Sequence, residues 1–390
     1  MKPLPALIAA LLLTGSLGSI HAFSVIIVPL EERFGASRGD VSLAYSLALI
    51  SLTVAVLFGH RIYHRLTPAL MGAGACLVAA TGLVLAAVAP ALVVVYAAYG
   101  VLFGFANGVG YGFSLIAAAR AYPKRQGMAM GLVTACYAVG AIVFAQVLKL
   151  VHEPHGLTTA LIVHGLSILA CGAVAGLLLS VSRLRMGHSA PSTSGGLRSD
   201  VRPIILMWLG FGFGCMSGII AFSHAAGVVT ETGGSGRQAV IGVMLVGFGN
   251  AVGGLMIAGL ADRIPLRLLL VGLPALSMAG LAALALLDGP GMAIVCLGVV
   301  GLAYGAIAAI YPVVTSRRFG IDRTPRIYGL IFTAWGVTGF AGPWISGVIY
   351  DVEGGYRSAL ALAGLAALIS AAAGACLRLS ARERVGTAQT

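Results

Sequence analysis

AFS at residues 22–24 returns as AFS at residues 221–223, 199 positions later, near the start of each half of the chain. The same register lays Thr134-Ala135 and Gly140 on Thr333-Ala334 and Gly339, again 199 apart, and Gly104 and Arg120 on Gly301 and Arg317, 197 apart. A chain with 55 glycines matches itself easily over three residues, so no single pair carries weight. Constant order and offset do, and they make the chain a tandem duplication with both copies running the same way. Parallel repeats that hold a solute between them near the bilayer midplane are a common plan of secondary transporters.

Composition supplies the solvent. With 59% hydrophobic residues, 9% charged residues and a mean hydropathy of +1.00, the chain has more apolar surface than a water-soluble globule of its size can bury. Roughly 20 apolar residues are needed for a helix to cross about 30 Å of hydrocarbon. Charged and Pro/Gly punctuation divides the sequence into twelve such runs. They are expected as α1 (4–30), α2 (39–59), α3 (69–89), α4 (91–119), α5 (126–149), α6 (158–180), α7 (203–229), α8 (238–261), α9 (267–287), α10 (291–316), α11 (326–350) and α12 (357–379). Runs this long and continuous exclude a β-barrel, whose strands alternate over about 10 residues. The first run follows Lys2 but is too long for a signal peptide and leads to no convincing cleavage site. The fold class is therefore an all-α membrane protein of twelve transmembrane helices in two pseudo-symmetric six-helix bundles. The bundles are residues 1–180 and 203–390, joined by a linker at 181–202 whose GHSAPSTSGG stretch is small and polar.

The net charge of +12 invites a nucleic-acid reading, but the basic residues are dealt out among alternate loops. With the N-terminus in the cytoplasm, 19 of the 24 fall on the cytoplasmic side and 5 (Arg33, Arg38, Lys149, Arg237, Arg357) on the other. The positive-inside rule then puts both termini in the cytoplasm of a plasma or bacterial inner membrane, with no nucleic-acid partner. The six cysteines fall inside spans without metal-type spacing and read as small core residues. No catalytic nucleophile, metal cluster or acid–base pair emerges near either interface, so no enzyme activity, metal or cofactor is expected.

Gly259–Arg267 reads GLADRIPLR, with Asp262 at a helix end beside Arg263 and Arg267. At the symmetric place after α2, Gly59–Leu66 reads GHRIYHRL, keeping the glycine and the basic Arg61 and Arg65 without the acid. These loops resemble the signature of the major facilitator superfamily, and the resemblance implies that Asp262, Arg263, Arg267, Arg61 and Arg65 form a cytoplasmic gate. Three further stretches, Gly18–Leu49, Tyr122–Ala141 and Tyr328–Asp351, resemble the oxalate:formate antiporter and monocarboxylate transporter group. The resemblance implies the major facilitator fold, a central path lined by α1, α4, α7 and α10, and a small carboxylate as solute. The chain departs from the group where its charges would stand. Asn250–Gly259 of α8 holds no basic residue, Trp335 occupies the place of the oxalate carrier's lysine in α11, and α1 lacks the monocarboxylate carriers' lysine.

Charge in mid-membrane costs about 2.5–3.5 kcal/mol on insertion scales, so its placement is informative. Here the spans hold His21, His164 and His224 far from helix ends and no acid there. Histidine titrates near neutral pH, which makes His21 on α1 and His224 on α7 candidates both for solute binding and for proton coupling. On α4, Asn107 and Tyr111 lie four residues apart on one face, and α10 offers Tyr304 and Tyr311. Tyr45, Tyr137, Asn250 and Trp335 complete the expected solute-binding set. Each also has a plain alternative, a hydrogen bond within a helix seam. The expectation is a monomeric carrier moving a small organic solute, a monocarboxylate or related anion, by alternating access with proton symport. A proton-driven drug exporter and a transporter-like nutrient sensor stand as alternatives.

Overall fold

The computed structural model describes residues 2–59, 62–63, 65–184, 201–286, 288–319 and 323–377, and among them the chain is helical almost throughout, with no strand. Twelve helices run back and forth through the bundle. They are α1 Pro3–Val25, α2 Arg38–Gly59, α3 Pro68–Ala87, α4 Leu92–Ala121, α5 and α6 together Gln126–Ser182, α7 Val201–Glu231, α8 Gly236–Arg263, α9 Leu266–Leu286, α10 Pro290–Phe319, α11 Thr324–Glu353 and α12 Arg357–Cys376. A short helix, Ile27–Phe34, follows α1. Ten described segments are long and apolar enough to cross a bilayer, with the α5–α6 run counted once. α11 is not among the ten; glycine, threonine, proline and tryptophan residues lower its mean hydropathy. Part of the expected linker, residues 185–200, lies outside the described residues.

The expected break between α5 and α6 is a bend rather than a loop. Gly156, at φ 79° and ψ 171°, leaves helical geometry in a region that strains any residue with a Cβ, and Pro154 two residues earlier lacks an amide donor. Elsewhere the starts follow ordinary capping chemistry. Thr67 accepts from the Leu70 amide ahead of Pro68, and Ser235 and Gln238 form a reciprocal capping box at α8.

The duplication is visible in the packing. Gly104 of α4 lies on the Ala48 backbone of α2, and its counterpart Gly301 of α10 lies on the Val246 backbone of α8. A Cβ at either glycine would run into main chain, which is how small residues let membrane helices approach closely. The two halves meet along two seams that the repeat exchanges. α2 runs against α11, with Gly39 at Asp351 near one end and Thr53 at Gly336 further along, while α5 runs against α8, with Ala138 and Ile142 at Gly247. An even number of crossings puts the ends of the described chain, Lys2 and Leu377, on one side.

Candidate functional site

The site begins with an irregular α1. Its α-helical geometry ends at Leu17 and residues Gly18–Val25 continue as a tighter 3-10 helix, which changes carbonyl pairing over the last eight residues of α1. Side chains from α4 take up two of those carbonyls. The Asn107 amide donates to Leu17 O at 2.6 Å and the Tyr99 hydroxyl to Ile20 O at 3.4 Å. α4 is itself distorted here, widening to π-helical turns over Tyr96–Phe103. Non-regular backbone at membrane depth is tolerated only where protein buries it or a cavity is lined. From α6, His164 Nε2 reaches Ser19 Oγ at 2.7 Å, with the Phe144 ring against its imidazole, and so props the tight segment from behind.

On the inner side of this segment stands His21, 3% exposed, with Nδ1 2.6 Å from the Tyr45 hydroxyl of α2. Either tautomer keeps the contact: the hydroxyl donates to a bare Nδ1, or Nδ1–H donates to the hydroxyl oxygen. The Tyr137 ring from α5 stands nearly perpendicular to the imidazole at a centroid distance of 5.6 Å, and the Tyr137 hydroxyl donates to Asn107 Oδ1 at 2.8 Å. Tyr111 packs on Tyr137 at 4.8 Å. Five expected residues, His21, Tyr45, Asn107, Tyr111 and Tyr137, thus form one connected group on four helices of the first half.

Phe222, from the repeated AFS, carries the group across to the second half. Its ring lies 5.0 Å from His21 and 5.7 Å from Tyr304 of α10. Tyr304 in turn accepts from the Trp335 indole of α11 at 2.9 Å, and Trp335 stacks on Phe332. Phe23, the equivalent of Phe222, stays in its own half, stacked on Tyr45 and tilted against Tyr99. Phe222 and Tyr99 were absent from the expected set. The repeat held the signal for Phe222, since it falls on the α7 position matching Phe23.

The remaining expected residues lie elsewhere. His224 is 1% exposed, and its Nε2 pairs with the Pro343 carbonyl of α11 at 3.1 Å. A carbonyl only accepts, so the proton sits on Nε2, while Nδ1 is buried without a partner. Its ring faces Tyr356 at 5.1 Å rather than the His21 group. Asn250 of α8 is half-buried where the α10 backbone passes closely at Gly305. Tyr311 packs on Phe211 toward the terminal end of α10. Of the expected gate, Arg61 lies outside the described residues, as does the side chain of Asp262. Arg65 and Arg263 are exposed, and Arg267 donates to the Ala375 carbonyl of α12, within its own half, at 3.2 Å.

A helical duplication closing on a polar group defines a class of membrane carrier, and the sequence comparisons agree with it. The profile of the Major Facilitator Superfamily matches residues 7–343 and 206–389, and the chain belongs to this family, a multi-pass integral membrane transporter family. It is 24% identical over 349 residues to an uncharacterised MFS-type transporter of Escherichia coli, YhjX, covering 85% of this chain and 84% of that protein. It is 25% identical over 367 residues to human monocarboxylate transporter 11, covering 90% of this chain and 77% of the relative. Among solved structures, a D-xylose-proton symporter superposes with a TM-score of 0.73 at 14% identity, covering 98% of both chains, a likeness of fold.

Proposed function

We propose that this protein carries a small organic solute, a monocarboxylate or related organic anion, across the membrane by alternating access, coupled to a proton. The observation that supports it most is His21, placed in the irregular stretch of α1, bonded to Tyr45 and facing Phe222 of the other half. An imidazole there gains a proton and with it the positive charge that a carboxylate needs, and returns to neutral when the proton leaves. The surrounding Tyr45, Tyr137, Asn107 and Trp335 are bonded to one another, to His21 or to main chain, while the Tyr304 hydroxyl accepts from Trp335 and keeps its own O–H to donate; sparse polarity on an apolar wall suits one small anion better than a multiply charged one. Human monocarboxylate transporter 11 among the relatives supports the same solute class.

In this reading residues 1–180 and 203–390 rock as two bodies about the site, with 181–202 as their cytoplasmic tether. The excess of basic residues in the loops on the terminal side supports cytoplasmic termini in the cell membrane. Purified protein in proteoliposomes, supplied with labelled monocarboxylates with and without an inward proton gradient, tests it. Gradient-stimulated accumulation is the expected result. Binding without accumulation would favour a sensor, and gradient-driven efflux of bulky cations an exporter.

A further inference from the structure

The end of the bundle away from both termini carries a charged cluster that the solute site does not use. Arg38, the first residue of α2, is 8% exposed despite its charge. Its Nε and Nη2 donate to the two oxygens of Glu31 at 2.6 and 2.7 Å, and Nη1 donates to the Tyr356 hydroxyl at 2.6 Å. The guanidinium also lies 4.1 Å from the centre of the Tyr350 ring. Glu31 shares a half with Arg38, whereas Tyr350 and Tyr356 belong to the other.

Asp351, near the end of α11, ties the same place through main chain. Its Oδ1 accepts from the Arg38 amide at 2.7 Å and its Oδ2 from the Gly39 amide at 2.6 Å. These are the first amides of α2, which no preceding carbonyl of their own helix can serve, and they sit at its positive dipole end. A carboxylate of one half therefore caps a helix of the other. Glycine at 39 leaves room for it, since a Cβ there would press on Asp351 and Val348. Glu231, the last residue of α7, accepts the Tyr356 amide at 3.0 Å and anchors the partner side.

We propose that Arg38, Asp351 and Tyr356 are the latch that closes this end of the carrier, and that the latch must dissolve for the end to open. In the seam beneath it Gly39, Ser42 and Gly347 meet backbone to backbone, with Val348 the one large apolar side chain against Gly39. Every group in the latch can exchange its partner for water. The proposal rests on the reading that the two halves rock, and its test is independent of solute.

Spin labels at Glu32→Cys and Glu353→Cys, in a background lacking the six native cysteines, report the distance across this end by pulsed electron resonance. The parent should show a predominantly short distance. Asp351→Asn, Arg38→Gln and Tyr356→Phe should each raise the longer-distance fraction at least threefold, with melting temperature checking that each variant is folded. If Arg38→Gln does not fold, the other two carry the test. Unchanged distributions in the folded variants, or a parent already dominated by the long distance, overturn the latch. Uptake by the unmodified protein tests the carrier reading separately.

Discussion

His21 and His224 occupy the two helices that the duplication makes equivalent, yet their surroundings differ in kind. His21 sits in a tight, irregular stretch and bonds a hydroxyl, a partner that donates or accepts as needed. His224 sits in a regular helix and bonds a carbonyl, which fixes its proton on Nε2. The first arrangement follows a change of protonation with a small rotation of one O–H, while in the second a further proton would have to settle on Nδ1, which is buried without a partner. Duplication supplied two matching helices, and only the first half's copy was bent into a polar centre.

The sharpest way to break this contrast is to remove each imidazole. His21→Ala should lower proteoliposome uptake at least about tenfold, equivalent to about 1.4 kcal/mol, and flatten its dependence on an imposed pH gradient. His224→Gln, keeping an N–H donor, should retain most of the uptake. Equal losses in both would erase the asymmetry. Next in size is Tyr45→Phe, which strips the hydroxyl and leaves a buried ring nitrogen without its partner, at a cost of about 1–3 kcal/mol. It should reduce uptake several-fold, and the His21→Ala/Tyr45→Phe double variant should be no worse than His21→Ala alone, since both act through one pair.

Where the halves agree, they should fail alike. Gly104→Ala and Gly301→Ala each push a methyl into the backbone of a neighbouring helix, and overpacking of this kind costs about 1–3 kcal/mol. Both should lower the melting temperature by similar amounts, whereas Gly364→Ala, inside a helix with nothing within 4 Å, should leave it unchanged or slightly raised. A large difference between the first two would mean that the repeated packing is not energetically equivalent. The smallest effect is expected for Trp335→Phe, which loses the indole donor to Tyr304. Interhelical bonds in membranes average about 0.6 kcal/mol, so half-saturation for solute should rise only two- to threefold.

The twelve spans could be read in the sequence because lipid demands uninterrupted apolar runs, and the ends of α2, α7, α8 and α10 fall within about three residues of expectation. The faces were legible where helical spacing governs them, and Asn107 and Tyr111 do share one. What Asn107 bonds was not legible, since Leu17 and Tyr137 come from other helices and no local pattern names them. The tightening of α1 was not legible either, for GSIHAFSV contains no proline, and its glycine, serines and β-branched residues, weak helix formers, recur through the other spans. Arg38 was visible only as one of five basic residues on the sparse side. Its bonds to Tyr356, 318 positions away, and through its amide to Asp351, 313 positions away, depend on bringing two halves together.

Phe222 stands at a fork, flanked by the imidazole of one half and the phenol of the other. A widening of the gap between the bundles has to uncover one flank, so this benzyl group cannot remain indifferent to which way the molecule faces. Fluorine or carbon-13 placed on that single ring would turn the protein's own centre into a direction indicator, with no foreign probe attached.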